Sequence, residues 1–154
     1  MGDGPASVHL VARVGGKLLA LTLPHVVEVM RPLAVAGLEG APACVRGAAV
    51  VRGGPVPVID GRALLGEPPG ALPAARWIAL RLGARRAVLA VDEVIGTRAV
   101  GGEKLAAMPP LLRGVASGLG EAIGSLDEEL LLVLRAGRLV PESAWGALEG
   151  QPEP

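Results

Sequence analysis

The chain is written in short apolar runs that stop at paired turn residues, and this punctuation narrows the fold before any motif is considered. Residues 8–23, VHLVARVGGKLLALTL, hold two such runs on either side of Gly15-Gly16. That spacing reads as a β-hairpin, because glycine supplies the positive φ angles of a two-residue turn. Residues 76–91 repeat the arrangement as RWIALRL, a turn at Gly83-Ala84, and RRAVLAV, with further strand sequence following in DEVIGTRAV. SGLGEAIGSLDEELLLVL over 117–134 supplies a last pair. Between these, strands are expected at 33–36, 47–51 and 55–59, while residues 26–30 after Pro24 fit either one helical turn or an extended crossing. GRALL at 61–65 reads as a short helical turn, and PESAWGALEG as a short terminal helix with Pro141 near its start. No long amphipathic helix separates the strands, which favours barrels over a doubly wound sheet.

The two halves share this grammar without a residue-level repeat strong enough to be a duplication. GEPPGALPAA at 66–75 is too rich in proline and glycine to be regular and marks the boundary between them. Glycine and proline are 23 and 14 of 154 residues, but they punctuate apolar runs and do not replace them. The core has to be filled by Val, Leu and Ala, since the chain has no Phe, no Tyr and only Trp77 and Trp145. Hydrophobic residues are 51% and charged ones 19%, so apolar surface is in excess and some of it is expected to be buried against partners.

Charge removes one class of partner. Fifteen basic residues balance fifteen acidic ones, so no global field draws the chain to nucleic acid or to an anionic membrane. An oligonucleotide-binding barrel would need a basic groove and aromatic stacking platforms, and two tryptophans do not supply them. A small-molecule-binding barrel lacks a convergent polar constellation. The segment MGDGPASVHL has no basic region followed by an apolar one, and no apolar run approaches the ~18 residues of a membrane span, so a cytoplasmic location without membrane insertion is expected.

Catalysis finds no foothold either. His9 and His25 are the only histidines and sit beside apolar positions, with no Cys or carboxylate at ligand spacing; Cys44 is alone. Without a histidine base the serines have no support as nucleophiles. Gly118-Leu-Gly-Glu-Ala-Ile-Gly124 misses the dinucleotide fingerprint by one position and reads as a strand bend. Asp127-Glu128-Glu129 reads as a solvated hairpin tip, and Asp92-Glu93 has nothing converging on it. The expectation is a protein that is not an enzyme and carries no cofactor or metal.

The most specific stretch is CVRGAAVVRGGPVPVID, residues 44–60, with the dipeptides Arg46-Gly47 and Arg52-Gly53, the prolines Pro55 and Pro57, and the closing Asp60. It resembles the central motif of CheW-like domains, the coupling proteins of bacterial chemosensory arrays: basic residue and Gly, short apolar strand, Arg-Gly, then Pro-apolar-apolar-Asp. Other segments fall in that family's order: LVARVGGKLLALTL as the opening hairpin, VVEVMR, Pro42 before the motif, AVLAVDEVIG, and Met-Pro-Pro at 108–110 before the closing hairpin. The sequence departs at Val50, where the family usually has Asn, at Gly61, where Leu follows the aspartate, and at Arg135-Ala-Gly, where the family tends toward Leu-Asp.

The resemblance implies two SH3-like five-stranded β-barrel subdomains sharing a hydrophobic seam, one domain over 7–140. The first barrel is expected at roughly 17–65 and the second at roughly 76–134, with an N-terminal strand, the 66–75 linker, and a short helix and tail at 141–154. It also implies a non-enzymatic adaptor between the cytoplasmic helical tip of a chemoreceptor and the regulatory domain of a CheA-type histidine kinase, recruited to membrane receptor arrays. A diverged scaffold in a motility or developmental pathway is the alternative. Val27, Val29 and Met30 from the first barrel and Val88 from the second are the candidate groove for a receptor helix. Arg46, Gly47, Arg52, Gly53, Pro57 and Asp60 are the candidate coupling residues. Gly47 and Gly53 are expected at tight bends, and Pro55 and Pro57 at an edge or a bulge facing a partner more than in a central ladder. Arg52 either faces a partner or pairs internally with Asp60.

Overall fold

The computed structural model describes residues 7–66, 76–100, 106–107, 120–126 and 129–149. Every paired run is a hairpin. β1 (Ser7–Val14) and β2 (Lys17–Thr22) pair antiparallel across Gly15-Gly16. β4 (Val45–Val51) and β5 (Gly54–Asp60) pair across Arg52-Gly53, β6 (Arg76–Leu82) and β7 (Arg85–Val91) across Gly83-Ala84, and β10 (Gly120–Leu126) pairs with β11 (Glu129–Leu134). β3 (Val26–Met30), β8 (Glu93–Val100) and the two-residue β9 (Ala106–Ala107) complete the strands; α1 (Gly61–Leu64) and α2 (Glu142–Glu149) are short.

Residues 26–30 are therefore extended: three valines in five positions favour a pleated strand over a helical turn. The strand expected at 33–36 reduces to a single bridge, in which Ala36 and Ala48 exchange both backbone hydrogen bonds at 2.8 Å. Pro32 and Gly37 flank it and leave too little chain for a ladder.

The strands form two sheets, ordered β8-β1-β2-β11-β10-β9 and β3-β6-β7-β5-β4. With β9 as a two-residue addition at one edge, each has five full strands, the two SH3-like barrels of an all-β protein with short helices. The barrels are not successive in the chain. β6 and β7 belong with β3, β4 and β5, while β1 and β2 join β8, β10 and β11. The division into barrels at 17–65 and 76–134 is corrected accordingly. Two parallel ladders cause the interleaving: β2 with β11, from Leu18–Leu131 to Ala20–Val133, and β5 with β7, from Val58–Val88 to Asp60–Ala90. A parallel pair has no turn to announce it, so hairpin punctuation does not reveal which hairpins join. Most of the expected linker, 67–75, lies outside the described residues, as does Met-Pro-Pro at 108–110.

Alternation along the strands creates three cores. Leu10, Ala12 and Val14 of β1 point into the seam between the sheets, with Leu19, Ile59, Ile78, Leu80, Leu89 and Leu132. The intervening Val11 faces Leu18, Ala20, Val100, Leu131 and Val133 inside its own sheet. In the other sheet Val56, Val58, Trp77, Val88 and Ala90 make the interior. Strands buried on both faces read as unbroken apolar runs, which is why VLAV at 88–91 and LLVL at 131–134 show no polar alternation. Trp145 on α2 enters the seam cluster, and the Arg85 guanidinium lies 4.9 Å from its ring centroid.

The acidic residues set aside in the sequence have structural partners. Asp92 accepts from the Gly15 backbone N–H at 2.7 Å and from Arg62 Nη2 at 2.9 Å, tying the first hairpin turn to α1. Glu129 is not simply a solvated tip residue: Arg13 donates to both its oxygens, at 2.8 and 3.1 Å. Asp127 and Glu128 lie outside the described residues.

Candidate docking surface

β3 is an edge strand whose outward positions are apolar. Val27 and Val29 are 40% and 41% exposed, while the alternate Met30 packs against the interior cluster containing Trp77 and Val88. Pairing with β6 shifts register between Val26 and Glu28, a bulge that leaves Val27 out of the ladder. Single exposed valines are ordinary, but Leu33, Val35 and the 67%-exposed Val50 add to them along the part of the sheet where Ala36 meets Ala48. Val50 occupies the position noted as a departure, so that substitution enlarges the apolar surface.

Arg52 stands above this strand. It and Gly53 are the two loop residues between Val51 and Gly54, with φ of 50° and 82°, the positive pair that defines a type I′ hairpin turn. Arg52 is the only described residue other than glycine with positive φ. An L-residue there carries backbone strain, and such strain marks a place where the side chain's position matters. The side chain is 64% exposed, and its Nε donates to Glu28 Oε2 of β3. That hydrogen bond holds the Glu28 carboxyl below the usual glutamate range.

The choice between a partner-facing Arg52 and an Arg52–Asp60 pair is thus resolved differently: Asp60 belongs to Arg46. Asp60 is 4% exposed, accepts from Arg46 Nε at 3.0 Å, and caps α1 by accepting from the Arg62 and Ala63 backbone N–H groups at 2.9 and 3.4 Å. Arg46 and Asp60 are a structural pair at the far end of the hairpin from Arg52, because β4 and β5 are antiparallel and the turn carries Arg52 away. Gly47 is required by close approach: with φ at 153°, a Cβ there would lie 2.0 Å from the Ala36 carbonyl oxygen.

Two further expectations are corrected. Pro57 is buried, not on an edge, since β5 runs between β4 and β7; the parallel ladder with β7 starts only at Val58, so the missing N–H of Pro57 interrupts nothing there. Val88 is 1% exposed and lies in the same sheet as β3, where it floors a shallow groove whose walls include Val27, Glu28, Arg52 and Val56. The groove runs over one barrel and not between two. Glu28 is the functional candidate that the sequence reading passed over. Its signal was a lone carboxylate in VVEVM facing an otherwise unmatched Arg52, a pairing visible only once β3 is known to lie beside the β4–β5 turn.

His9 is buried with Nδ1 2.9 Å from the Ser7 carbonyl, burial pushes the Cys44 thiol upward, and no group of three His, Cys, Asp or Glu among the described residues could hold a metal. No described helix is long and apolar enough to cross a membrane. The described residues thus form two β-barrels packed on a common seam, with an exposed apolar strand beside a surface ion pair. The family model of the CheW-like domain matches residues 9–144, and the chain belongs to that family. Its fold is also that of the scaffolding protein TtCheW from Thermoanaerobacter tengcongensis, at 20% identity and a TM-score of 0.74, covering 89% of this chain and 98% of that one. No curated protein matches the chain.

Proposed function

We propose that this protein is a non-enzymatic adaptor that couples the cytoplasmic helical tip of a chemoreceptor to the regulatory domain of a CheA-type histidine kinase, acting in the cytoplasm at membrane receptor arrays. The observation that carries the reading is the Glu28–Arg52 pair, held by a strained turn beside the exposed Val27 and Val29. An apolar strip bracketed by a fixed ion pair supplies both the burial and the register that a protein partner needs. Membership in a family of coupling domains supplies the kind of partner. Val27, Val29, Met30, Arg52 and Gly53 form the contact surface in this reading, with Val88 beneath it. Arg46, Gly47, Pro57 and Asp60 hold the β4–β5 hairpin that presents Arg52.

The test is a reconstituted mixture of receptor, adaptor and kinase, with kinase autophosphorylation as the readout. The wild-type protein is expected to raise kinase activity in a receptor-dependent way, and Arg52→Glu to abolish this with little change in melting temperature. Kinase activity indifferent to the protein would overturn the reading, as would phosphate incorporated into the adaptor itself.

A further inference from the structure

The β4–β5 hairpin carries Arg52 on a tip that the sheet does not hold. Val51 and Gly54 close its two-residue turn, so Gly54, Val56 and Val58 turn their N–H groups toward β4, and the positions facing β7 fall at Pro55, Pro57 and Ile59. Proline has no N–H to donate. The parallel ladder with β7 accordingly begins at Val58 and comes no nearer the turn. On the other edge, β4 is bridged at Ala48 and at no described position closer to the tip. About 13 Å of hairpin, the rise from Val58 to Gly54, therefore projects past the last bond to a neighbouring strand. Val51 and Val56 pack its inner face into the barrel. Behind it lies an open cleft of about 230 Å³, with Pro55 and Val56 on one side and Trp145, Leu148 and Glu149 of α2 on the other.

The helix across the cleft is fastened to the β6–β7 turn and not to the tip. Arg85 lies over the Trp145 ring, 3.6 Å from Glu142 in the first turn of α2 and 3.5 Å from Glu149 in its last. Trp145 and Ala144 are buried in the seam, but the three charged side chains stay in contact with water, so this catch is weak and opens readily. We propose that α2 is a back-stop for the Arg52 tip, with Arg85 as the positioning residue that holds it. While Arg85 grips both ends of the helix, the tip has little room to swing back, and Arg52 and Glu28 are presented in one place. When the catch opens, the tip moves into the cleft and the partner is held less tightly. This rests on the docking reading above and adds to it an element that sets how the docking turn is presented, without touching the partner itself.

The experiment is amide exchange on the full chain, read beside kinase activation in the mixture of receptor, adaptor and kinase. Arg85→Met is expected to raise exchange roughly fivefold in α2 and at residues 50–54, and to leave β6 unchanged. Receptor-dependent activation should fall with it, at nearly the wild-type melting temperature. Glu142→Gln with Glu149→Gln opens the same catch from the other side and should have the same two effects. Arg85→Lys keeps a cation over the ring and should retain most of the activation. If Arg85→Met lowers activation and the glutamine pair does not, Arg85 touches the partner directly and the proposal fails. If neither variant changes exchange at residues 50–54, α2 does not govern the tip; the proposal fails and the coupling reading stands. If the wild-type protein does not activate the kinase at all, the coupling reading fails and the proposal falls with it.

Discussion

Removing the Asp60 side chain tests whether this carboxylate is the joint between hairpin and helix. Asp60 is 4% exposed, and its two oxygens do separate work: Oδ1 caps α1 through Arg62 and Ala63, while Oδ2 takes Arg46 Nε at 3.0 Å. Loss of an N-cap acceptor costs about 1 kcal/mol. Breaking a buried ion pair costs about 3–5 kcal/mol. The Arg46 side chain is 27% exposed and can still turn toward water, which puts its share below that range, at about 2–3 kcal/mol. Asp60→Ala should therefore cost about 3–4 kcal/mol in all, and Asp60→Asn, which keeps a capping oxygen, about 2 kcal/mol. At about 2–4 °C per kcal/mol for a chain of this size, the alanine variant should melt roughly 6–16 °C below wild type by calorimetry. Arg46→Met should cost markedly less in the Asp60→Ala background than in the wild type, since the pair is already gone. Additive effects of the two changes, or equal losses for Ala and Asn, would refute this division of labour. Exchanging charges as Arg52→Glu with Asp60→Arg should rescue nothing.

Gly47→Ala should destabilise by about 3 kcal/mol or more in denaturant titration, since the added methyl would meet the Ala36 carbonyl. Arg52→Gly should leave the melting temperature equal or higher by removing the positive-φ strain, yet lose receptor-dependent kinase activation. The charge exchange Glu28→Arg with Arg52→Glu should recover part of the activation that either change alone removes. Arg13 pulls the Glu129 carboxyl below its ordinary range. The stability it contributes is present above the unfolded glutamate value and disappears as pH falls through the folded one. The melting-temperature gap between wild type and Glu129→Gln should therefore be open at neutral pH and close in acid.

Local structure was legible because its causes are local. Gly15-Gly16 and Gly83-Ala84 announced their hairpins, and the turn of GRALL began where Asp60 could cap it. The β4–β5 turn was harder, because an arginine occupies a position that normally asks for Asn or Gly. With that turn unread, nothing in the sequence separated Arg52 from Asp60, and opposite charge made them look like partners. Sheet membership was not legible at all: Leu18 beside Leu131 and Val58 beside Val88 are separated by long stretches of chain, and all four are aliphatic. Any of several apolar runs would have satisfied the same ladder. The exposure of Val27 and Val29 was hidden for the same reason, as an outward valine and an inward one read alike until an edge is assigned.

The interleaved topology bears on how an adaptor of this shape transmits anything. β6 and β7 bury side chains on both faces, with Trp77, Val88 and Ala90 toward the interior of their own barrel and Ile78, Leu80 and Leu89 toward the seam. The interior of this barrel and the seam with the second barrel are thus two sides of one wall. Shifting that wall by a single residue would exchange its two apolar sets and expose neither, but would undo every parallel pair with β5. A wall packed on both sides at interior density has no soft direction. What varies at the groove is confined to its rim, where the Arg52 turn and the edge of β3 touch solvent. A partner that docks there meets a rigid body, so coupling through this protein should depend on relative placement of the two bound partners. Amide exchange should then show β6 and β7 equally protected with and without a bound receptor fragment, with changes limited to β3 and the β4–β5 turn. Increased exchange in β7 on binding would show instead that the wall itself moves.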